Sequence, residues 1–354
     1  MRKAAAIIFS LFLIATASCK KTPAVTPTGT GQPTDSIPAS GQDTSHPFFA
    51  KGADVSWVTQ MVASGYQFYD SAGTRQDCMQ ILKGLGMNAI RLRAWVNPAN
   101  GWCNTTDVLA KALRAKSLGM KILLDFHYSD VWADPGHQTI PAAWAGEDLA
   151  GLTQSLTQYT TGVLDTLQLN GITPDWVQIG NETNDGMLWP VGQASVSMAN
   201  FAHLEKAGYD AVKAVDTSIK VIVHISNGFD NSLFRWVFDG LKSNGGKWDI
   251  IGMSLYPSTS NWGSLNAQCL ANMNDMVSRY GTPVMVVEIG MPWDQPAICK
   301  SFISDLVAKV KSVPGNMGLG VFYWEPECYN NWQNYTLGAF DGSGKPTAAL
   351  SGFQ

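Results

Sequence analysis

Two short apolar runs in this sequence each end on a glutamate. The first, residues 176–182 (WVQIGNE), ends on Asn181 and Glu182, and the second, residues 283–290 (PVMVVEIG), carries Glu288 near its end. Both runs are predicted to be buried strands of a parallel barrel, in which polar residues collect at the carboxyl ends of the strands. Two carboxyl groups that face each other across a cleft can cleave a glycosidic bond. One protonates the leaving oxygen, and the other attacks the anomeric carbon or activates a water.

Polar side chains also stand at the ends of the other predicted strands. Together with the two glutamates, the candidates are Asp54, Arg91, Arg93, Asp125, His127, Asn181, Glu182, His224, Tyr256, Glu288 and Trp324. Arg91 or Arg93 beside Glu288 would keep that carboxylate charged, and burial beside a second carboxylate would raise the pKa of Glu182. The alternative is that both glutamates only form buried salt bridges with these arginines. Two glutamates at the ends of two separate strands favour catalysis over that alternative.

Alternation of side chains along a strand predicts which candidates point the same way. The odd-numbered residues of 91–95 share one face, and Asp125 shares a face with His127. By the same rule, the even-numbered residues of 284–288 share a face that includes Glu288.

Strand and helix patterns alternate from Phe48 to the end of the chain. Apolar runs predict eight strands, at residues 49–57, 89–95, 121–127, 176–182, 220–225, 250–256, 283–289 and 319–324. Helical patterns lie between them; Thr74 could cap the first, and a short helix over 347–353 closes the chain. Eight such units predict an α/β fold, a (β/α)8 TIM barrel, as a single domain over residues 47–354. An open doubly wound sheet would need a glycine-rich phosphate loop, and residues 52–54 (GAD) do not form one.

The first 46 residues differ in composition from the rest of the chain. Residues 1–19 have a basic start, an apolar run and small residues before Cys19, which is the pattern of a secretory signal. The position of Cys19 resembles a bacterial lipoprotein processing site and predicts a lipid anchor; the alternative is an ordinary signal peptide that ends near this cysteine. Residues 20–46, rich in Thr, Pro, Gly and Ser, predict a disordered tether between the anchor and the barrel.

The composition narrows the class of substrate. The net charge is −4, with no basic cluster beyond the N-terminus, which argues against nucleic acid and gives no reason to expect an anionic substrate. The 13 tryptophans can supply flat apolar faces on which sugar rings stack. The six cysteines include no CxxC pair and no Cys/His cluster, so no zinc site is predicted and no disulfide pairing is assigned.

Longer motifs point to a family. The runs are GADVSWV (52–58), IRLRAWVNP (90–98), LDFHYSDVWADPGHQ (124–138), VQIGNETNDGMLWP (177–190) and VFYWEPE (321–327). They resemble glycoside hydrolase family 53, the endo-β-1,4-galactanases, within the retaining glycosidases of clan A. The resemblance covers nearly all of residues 48–353. It implies cleavage of β-1,4-galactosidic linkages inside pectic galactan (type I arabinogalactan) by a double displacement, without an organic cofactor.

The resemblance also implies roles for single residues. Glu182 would be the acid/base and Glu288 the nucleophile, with a separation of ~5–5.5 Å between the carboxyl groups of a retaining pair. Asn181 would hydrogen-bond the sugar 2-hydroxyl. Tyr256 would hold Glu288, with Arg91 supporting its charge, and Trp324 would form the floor of the subsite where the bond breaks.

The loop after the third strand, residues 128–147, is long for a barrel loop and lines the galactan groove in the family. Trp132 in this loop is the best stacking platform. The further predicted substrate contacts are Trp95, Asp125 and His137. Trp189 and Trp293 rank after them as candidates. His127 could donate to the substrate or to a carboxylate, or be a satisfied core residue. His127 and His224 have no third ligand with which to bind zinc.

Some bacterial relatives hold calcium in an acidic loop late in the barrel. The corresponding stretch here, residues 291–300, has a single acidic residue, Asp294, so neither calcium nor another metal is predicted. Two alternatives for function stay open: a clan relative that cuts mannan or cellulose, and a non-catalytic glycan-binding lipoprotein. We expect a secreted monomer. Its lipid anchor would attach it to the bacterial outer membrane or cell surface.

Overall fold

A computed structural model describes residues 48–354 of the protein. The predicted signal segment, the lipidation site Cys19 and the predicted tether lie outside the described residues. Within the described part, eight strands alternate with eight α-helices. The strands are β1 (Ala50–Asp54), β2 (Ala89–Ala94), β3 (Lys121–Phe126), β4 (Trp176–Ile179), β5 (Lys220–Ile225), β6 (Ile250–Leu255), β7 (Val284–Ile289) and β8 (Gly318–Trp324). The helices are α1 (Val58–Ala63), α2 (Cys78–Gly84), α3 (Thr105–Ser117), α4 (Leu149–Leu169), α5 (Met198–Val215), α6 (Asn231–Ser243), α7 (Trp262–Tyr280) and α8 (Pro296–Lys311).

The eight strands form a closed parallel barrel in chain order. β1 pairs with β2 on one side and with β8 on the other, which closes the sheet. This confirms the predicted (β/α)8 fold. Among residues 48–354, none of the helices combines the length and the apolar character that a membrane crossing requires.

The barrel interior has an apolar lower layer and a polar upper layer. Every strand contributes at least one side chain to a single buried apolar cluster. Side chains from all eight strands can meet only on the barrel axis, so these residues point inward. The members are Ala50, Ala89, Leu123, Trp176, Ile222, Ile250, Met285, Val287 and Phe322. Two residues further along the same strand face, polar side chains replace apolar ones, as Asp125 follows Leu123 and Gln178 follows Trp176. The polar residues are therefore stacked on an apolar plug, at the carboxyl ends of the strands.

Two local predictions at the start of the chain were wrong. A short helix, α1, follows β1 and was not predicted. The next helix begins at Cys78 with Asp77 as its N-cap, whose carboxylate accepts a hydrogen bond from the Gln80 N–H, rather than with Thr74 as the cap. Thr74 instead belongs to a turn in which its backbone N–H donates to Asp70 Oδ1 at 2.8 Å. The closing segment Ala348–Phe353 is a 3-10 helix.

Candidate active site

Glu182 lies in a sharp turn beyond β4. The strand is shorter than the predicted 176–182 because Gly180 and Glu182 have left-handed φ angles of 75° and 45°. A Cβ on Gly180 would lie 2.5 Å from the Cγ2 of Thr183, so a glycine is required at this position. The turn brings Glu182 to β6, where the Ser254 hydroxyl donates a hydrogen bond of 2.5 Å to Glu182 Oε1.

Glu288 reaches the same end of the barrel through a β-bulge in β7, and the predicted face sharing was wrong. Val284 and Val286 pack in the outer layer, between the strands and the helices, and regular alternation would place Glu288 there as well. Instead, the register with β6 shifts after Val286, so that Ser254 pairs with Glu288 and Val287 is the extra residue. The bulge therefore turns Glu288 toward the barrel mouth.

Arg91 is the cation at the centre of the polar layer. Its guanidinium lies 2.8 Å from Glu288 Oε1, 2.6 Å from Asp54 Oδ2 and 2.9 Å from Asp125 Oδ2. It also donates a hydrogen bond of 2.9 Å to Asn181 Oδ1. Burial is the largest single influence on Asp125 and would raise its pKa, but Arg91 and His127 together outweigh this effect, and the pKa lies below its ordinary value. One arginine thus orients residues from β1, β3, β7 and the turn after β4.

The two glutamates have different neighbours. Glu288 is bound by Arg91 at Oε1, and the Tyr256 hydroxyl donates to its Oε2 at 2.9 Å. Among the described residues, Glu182 has a neutral hydrogen-bond donor, Ser254, and no salt-bridge partner. Burial is the largest influence on both groups and raises the pKa of each, while Arg91 lowers both; charge on Glu182 raises the pKa of Glu288 further. The two carboxyl groups therefore titrate as a pair and retain a proton more strongly than isolated carboxyl groups do.

His127 is buried and contacts Asp125. Its Nδ1 lies 3.2 Å from the indole nitrogen of Trp95 and 3.1 Å from the backbone nitrogen of Ala133, both of which are N–H donors. Nε2 therefore carries the proton and donates it to Asp125 Oδ2 at 3.0 Å. Burial lowers the pKa of His127, which favours this neutral form. Two of the predicted alternatives are therefore observed together, because His127 donates to a carboxylate and is a buried residue with both ring nitrogens satisfied.

Gln178 and Ser254 belong to the polar layer and were not predicted. The Gln178 amide donates to Asp125 Oδ1 at 2.5 Å and lies 3.2 Å from His224 Nδ1. His224 is fully buried beneath the site, and the Glu182 backbone N–H lies 3.4 Å from its Nδ1. Alternation along β4 and β6 was the signal that could have found both residues, because each occupies the last inward position of its strand.

Two predicted substrate contacts lie in different environments. Asp125 is 0% exposed, and Arg91, His127 and Gln178 occupy its carboxylate. It lies beneath the cleft, so its predicted contact with substrate was wrong; alternation gave the direction of the side chain but not its depth. His137 lies on the exposed loop after β3, where its Nδ1 is 2.9 Å from Asp134 Oδ1.

An aromatic cleft of about 340 Å³ lies at the carboxyl end of the barrel, lined among others by Trp57, Trp95, Trp132 and Trp324. Trp132 is 37% exposed, whereas Trp57 and Trp95 are 7% and 8% exposed. The Trp132 ring packs edge-on against both of these at 5.4 and 5.1 Å and lies 5.8 Å from Trp324. Trp57 and Trp95 thus pack behind Trp132 and Trp324, which remain available to a sugar ring. Trp57 was not predicted.

Other parts of the described region lack the combination of carboxyl groups and exposed aromatic rings found at the barrel mouth. A groove of about 730 Å³ on the side of the barrel is lined by residues of α1, α2 and the segment between them, together with Arg114 of α3, and it contains none of the predicted site residues. Trp189 donates its ring N–H to a backbone oxygen of its own loop, and Trp293 is 48% exposed. Within residues 48–354, no three His, Cys, Asp or Glu side chains are arranged to hold a metal ion. The five cysteines in this region are buried and unpaired.

Comparison with known proteins identifies related chains. The model of glycosyl hydrolase family 53 matches residues 50–353. A probable arabinogalactan endo-β-1,4-galactanase A from Neosartorya fischeri is 36% identical, over 82% of this chain and 86% of the relative. The arabinogalactan endo-β-1,4-galactanase of Thermothelomyces thermophilus is 34% identical, over 86% and 98%. A solved structure of fungal β-1,4-galactanases superposes with a TM-score of 0.81 at 32% identity and covers 87% of this chain and 99% of its own.

Proposed function

The chain belongs to glycosyl hydrolase family 53, and we propose that it hydrolyses internal β-1,4-galactosidic linkages of pectic galactan by a retaining double displacement. The family and the galactanase names of its relatives support the substrate. The unequal surroundings of the two glutamates support the mechanism, since a retaining pair needs one ionised nucleophile and one neutral acid.

Glu288 is the nucleophile of the proposed reaction. A salt bridge to Arg91 and a hydrogen bond from Tyr256 both stabilise its carboxylate. When the pair holds a single negative charge, that charge therefore resides on Glu288. The carboxylate attacks the anomeric carbon of the galactosyl residue and forms an ester with it as the glycosidic bond breaks.

Glu182 is the acid and then the base. It is half-buried beside Ser254 and has no cation in direct contact among the described residues, so it keeps the shared proton. In the first step that proton passes to the leaving glycosidic oxygen. In the second step the Glu182 carboxylate takes a proton from a water, which attacks the same carbon and releases Glu288 with net retention. The chemistry needs two carboxyl groups and water, and no metal or organic cofactor is proposed.

Asn181 and the tryptophans position the sugar in this proposal. The Asn181 Nδ2 donates to the backbone oxygen of Ala133 at 2.8 Å, which leaves the second N–H of the amide for the sugar 2-hydroxyl. Trp324 and the exposed face of Trp132 provide stacking surface for galactosyl rings. His137 on the rim is a further proposed contact for the polymer.

Glu288→Gln tests the mechanism. We expect the rate of reducing-end release from linear galactan to fall by roughly 10³-fold or more, because the amide cannot act as the nucleophile. The exposed Asp210, which pairs with Lys206 on the outer helix α5, offers Asp210→Asn as a matched carboxyl-to-amide control with unchanged activity. Release by the Glu288 variant at the wild-type rate would contradict the assignment. The anomeric configuration of the first products, read early by NMR, tests retention, and an inverted product would exclude the double displacement.

The competing functions make different predictions. A mannan- or cellulose-cleaving enzyme would release sugar from those polymers faster than from galactan under identical conditions. A non-catalytic glycan-binding protein would bind galactan without releasing reducing ends. Activity on galactan above that on the glucan and the mannan is the result expected here.

In the proposed location, the outer membrane or cell surface of a bacterium, a lipid on Cys19 anchors the protein. The proposed active form is a monomer. Cys19 lies outside the described region, and its support is the sequence pattern of residues 1–19. Expression in a bacterium fed a labelled fatty acid tests the anchor. Label in the wild type and none in Cys19→Ala is expected, and an unlabelled wild-type chain would contradict it.

A further inference from the structure

Arg93 is a buried cation at the back of the aromatic cleft. It is 0% exposed, and its guanidinium carbon lies 4.2 Å from the centroid of the Trp132 ring, 4.9 Å from Trp95 and 5.5 Å from Trp57. Its Nη1 donates to Glu325 Oε1 at 3.1 Å. Its Nε and Nη2 have no hydrogen-bond partner among the described residues. The ring faces are therefore the main neighbours that offset the desolvation of the remaining N–H groups.

A second pair of carboxyl groups, Glu325 and Glu327, lies at the end of β8, and one of them pairs with Arg93. Glu325 and Glu327 are both 0% exposed and follow Trp324 closely in the chain. Glu325 accepts hydrogen bonds from Arg93 and from the Trp57 backbone N–H at 3.1 Å. Burial and the neighbouring Glu325 raise the pKa of Glu327 well above its ordinary value. Among the described residues, Glu325 is the carboxyl group in direct salt-bridge contact with Arg93, while burial and the neighbouring Glu325 disfavour the ionised form of Glu327.

Trp132 needs an anchor because it comes from a loop. Trp57, Trp95 and Trp324 lie at or close to the ends of β1, β2 and β8, whereas Trp132 lies beyond β3 in the long stretch before α4. Trp132 is also more exposed than the other aromatic rings that line the cleft. A cation over one face leaves the ring free to present its other surface to a ligand, because cation–π attraction fixes the ring without a hydrogen bond.

We propose that Arg93 is a positioning residue for substrate, whose buried charge fixes the Trp132 indole in the orientation that stacks on a galactosyl ring. This inference rests on the proposed galactanase function. Arg93 is distinct from Arg91 in its action, because Arg91 contacts Glu288 directly and Arg93 contacts the aromatic wall.

The first test replaces the ion pair by neutral side chains of similar length, as Arg93→Met with Glu325→Gln, so that no buried charge loses its partner. We expect KM for galactan to rise about 5- to 30-fold, the range that one to two kcal/mol of lost cation–π attraction produces, with kcat within about threefold of wild type. Arg279→Met is the matched control, since Arg279 also packs on an aromatic ring and pairs with a carboxylate, but on the outer helix α7. An unchanged KM, or a fall in kcat alone, would overturn the proposal.

A double-mutant cycle shows whether Arg93 acts through Trp132. In a Trp132→Ala background the Arg93 replacement should change KM less than about twofold, because the ring that it orients is absent. An equal rise in KM in both backgrounds would show that Arg93 acts by another route. Arg93→Lys keeps the charge and a similar length; it should recover part of the affinity, and a KM equal to that of the neutral variant would contradict a role for the charge.

Near-ultraviolet circular dichroism provides a reading that does not depend on substrate. The edge-on packing of Trp132 against Trp57 and Trp95 should give a tryptophan signal that the neutral variant loses and Arg93→Lys retains. If wild-type protein released no sugar from galactan, the proposed function would fail, while this signal would still test the positioning of Trp132. An identical spectrum in wild type and the neutral variant would overturn the positioning role.

Discussion

Ser254 donates a hydrogen bond to Glu182 at 2.5 Å, although the two residues come from different parts of the barrel. In the sheet, the same serine pairs in register with Glu288. One inward-facing residue of β6 therefore lies next to both carboxyl groups of the proposed mechanism. Its hydroxyl contacts one glutamate and its backbone adjoins the strand of the other, so this serine helps set the relative position of the acid and the nucleophile.

Ser254→Ala should change the alkaline side of the pH–rate profile. The serine hydroxyl stabilises the ionised form of Glu182 and lowers its pKa, so its removal should raise that pKa. If Glu182 is the acid, it then stays protonated to higher pH, and the alkaline limb of kcat/KM moves upward. The rate at the optimum should fall less than about tenfold, since one hydrogen bond contributes about 1 kcal/mol. An unmoved alkaline limb with a displaced acid limb would reverse the two roles.

Tyr256→Phe should change the acid side of the same profile. The phenol donates to Glu288 and stabilises its carboxylate, so its loss raises the pKa of Glu288 and moves the acid limb of kcat/KM upward. The rate should fall about 10- to 100-fold, because a hydrogen bond to a charged group contributes about 1.5–3 kcal/mol. Tyr209→Phe is the control, since the Tyr209 hydroxyl donates to Asp249 on the outside of the barrel. If the acid limb moved in Tyr209→Phe but not in Tyr256→Phe, the proposed hydrogen bond from Tyr256 to the nucleophile would be contradicted.

Glu205→Gln should flatten the pH dependence of stability. Glu205 on α5 is fully buried, and burial raises its pKa from 4.5 to about 8. Because the folded-state pKa is the higher one, the neutral side chain favours the fold, so this contribution is complete below about pH 4.5 and is lost as the pH rises to about 8. This one group should reduce the unfolding free energy of wild type by up to ~1.4 kcal/mol per pH unit in the middle of this window.

Urea unfolding at several pH values between these limits measures the difference between the two proteins. The glutamine variant should lose less stability than wild type over this window, because its amide cannot ionise; the slope that remains comes from other buried carboxyl groups with raised pKa values, such as Glu288. Glu147→Gln, on a half-buried glutamate, should follow the wild-type curve. Parallel curves for wild type and the Glu205 variant would mean that Glu205 is not neutral in the folded protein.

The sequence allowed much of the fold to be predicted because the elements are local. Apolar strands and amphipathic helices carry their own periodicity, and β5 was predicted with the bounds that the structure has. The strand-end glutamates were found for the same reason, since the ends of parallel strands meet at one face. Helix α1 was missed because its six residues are too few to develop a clear period.

The details of the site depended on contacts between distant segments. Ser254 and Gln178 were missed because a hydroxyl or an amide on a buried strand has a functional role only through its hydrogen-bond partners. Those partners lie on other strands and cannot be read from the sequence around the residue. Asp125 was predicted to touch substrate because alternation shows the direction of a side chain but not its depth. The buried charge of Arg93 was not connected with Trp132 because the loop that carries Trp132 has no regular period.

The sequence by itself determined the class of barrel, the family and the two glutamates, because strand periodicity, carboxylate-tipped strand ends and long motifs are local features. Only the tertiary structure decided how Glu288 faces inward. Regular alternation would have turned it toward the helices with Val284 and Val286, and a bulge at Val287, visible only against the register of β6, returns it to the mouth of the barrel. The physical reason is that a register is a property of two strands together, and neither strand's residues specify it alone.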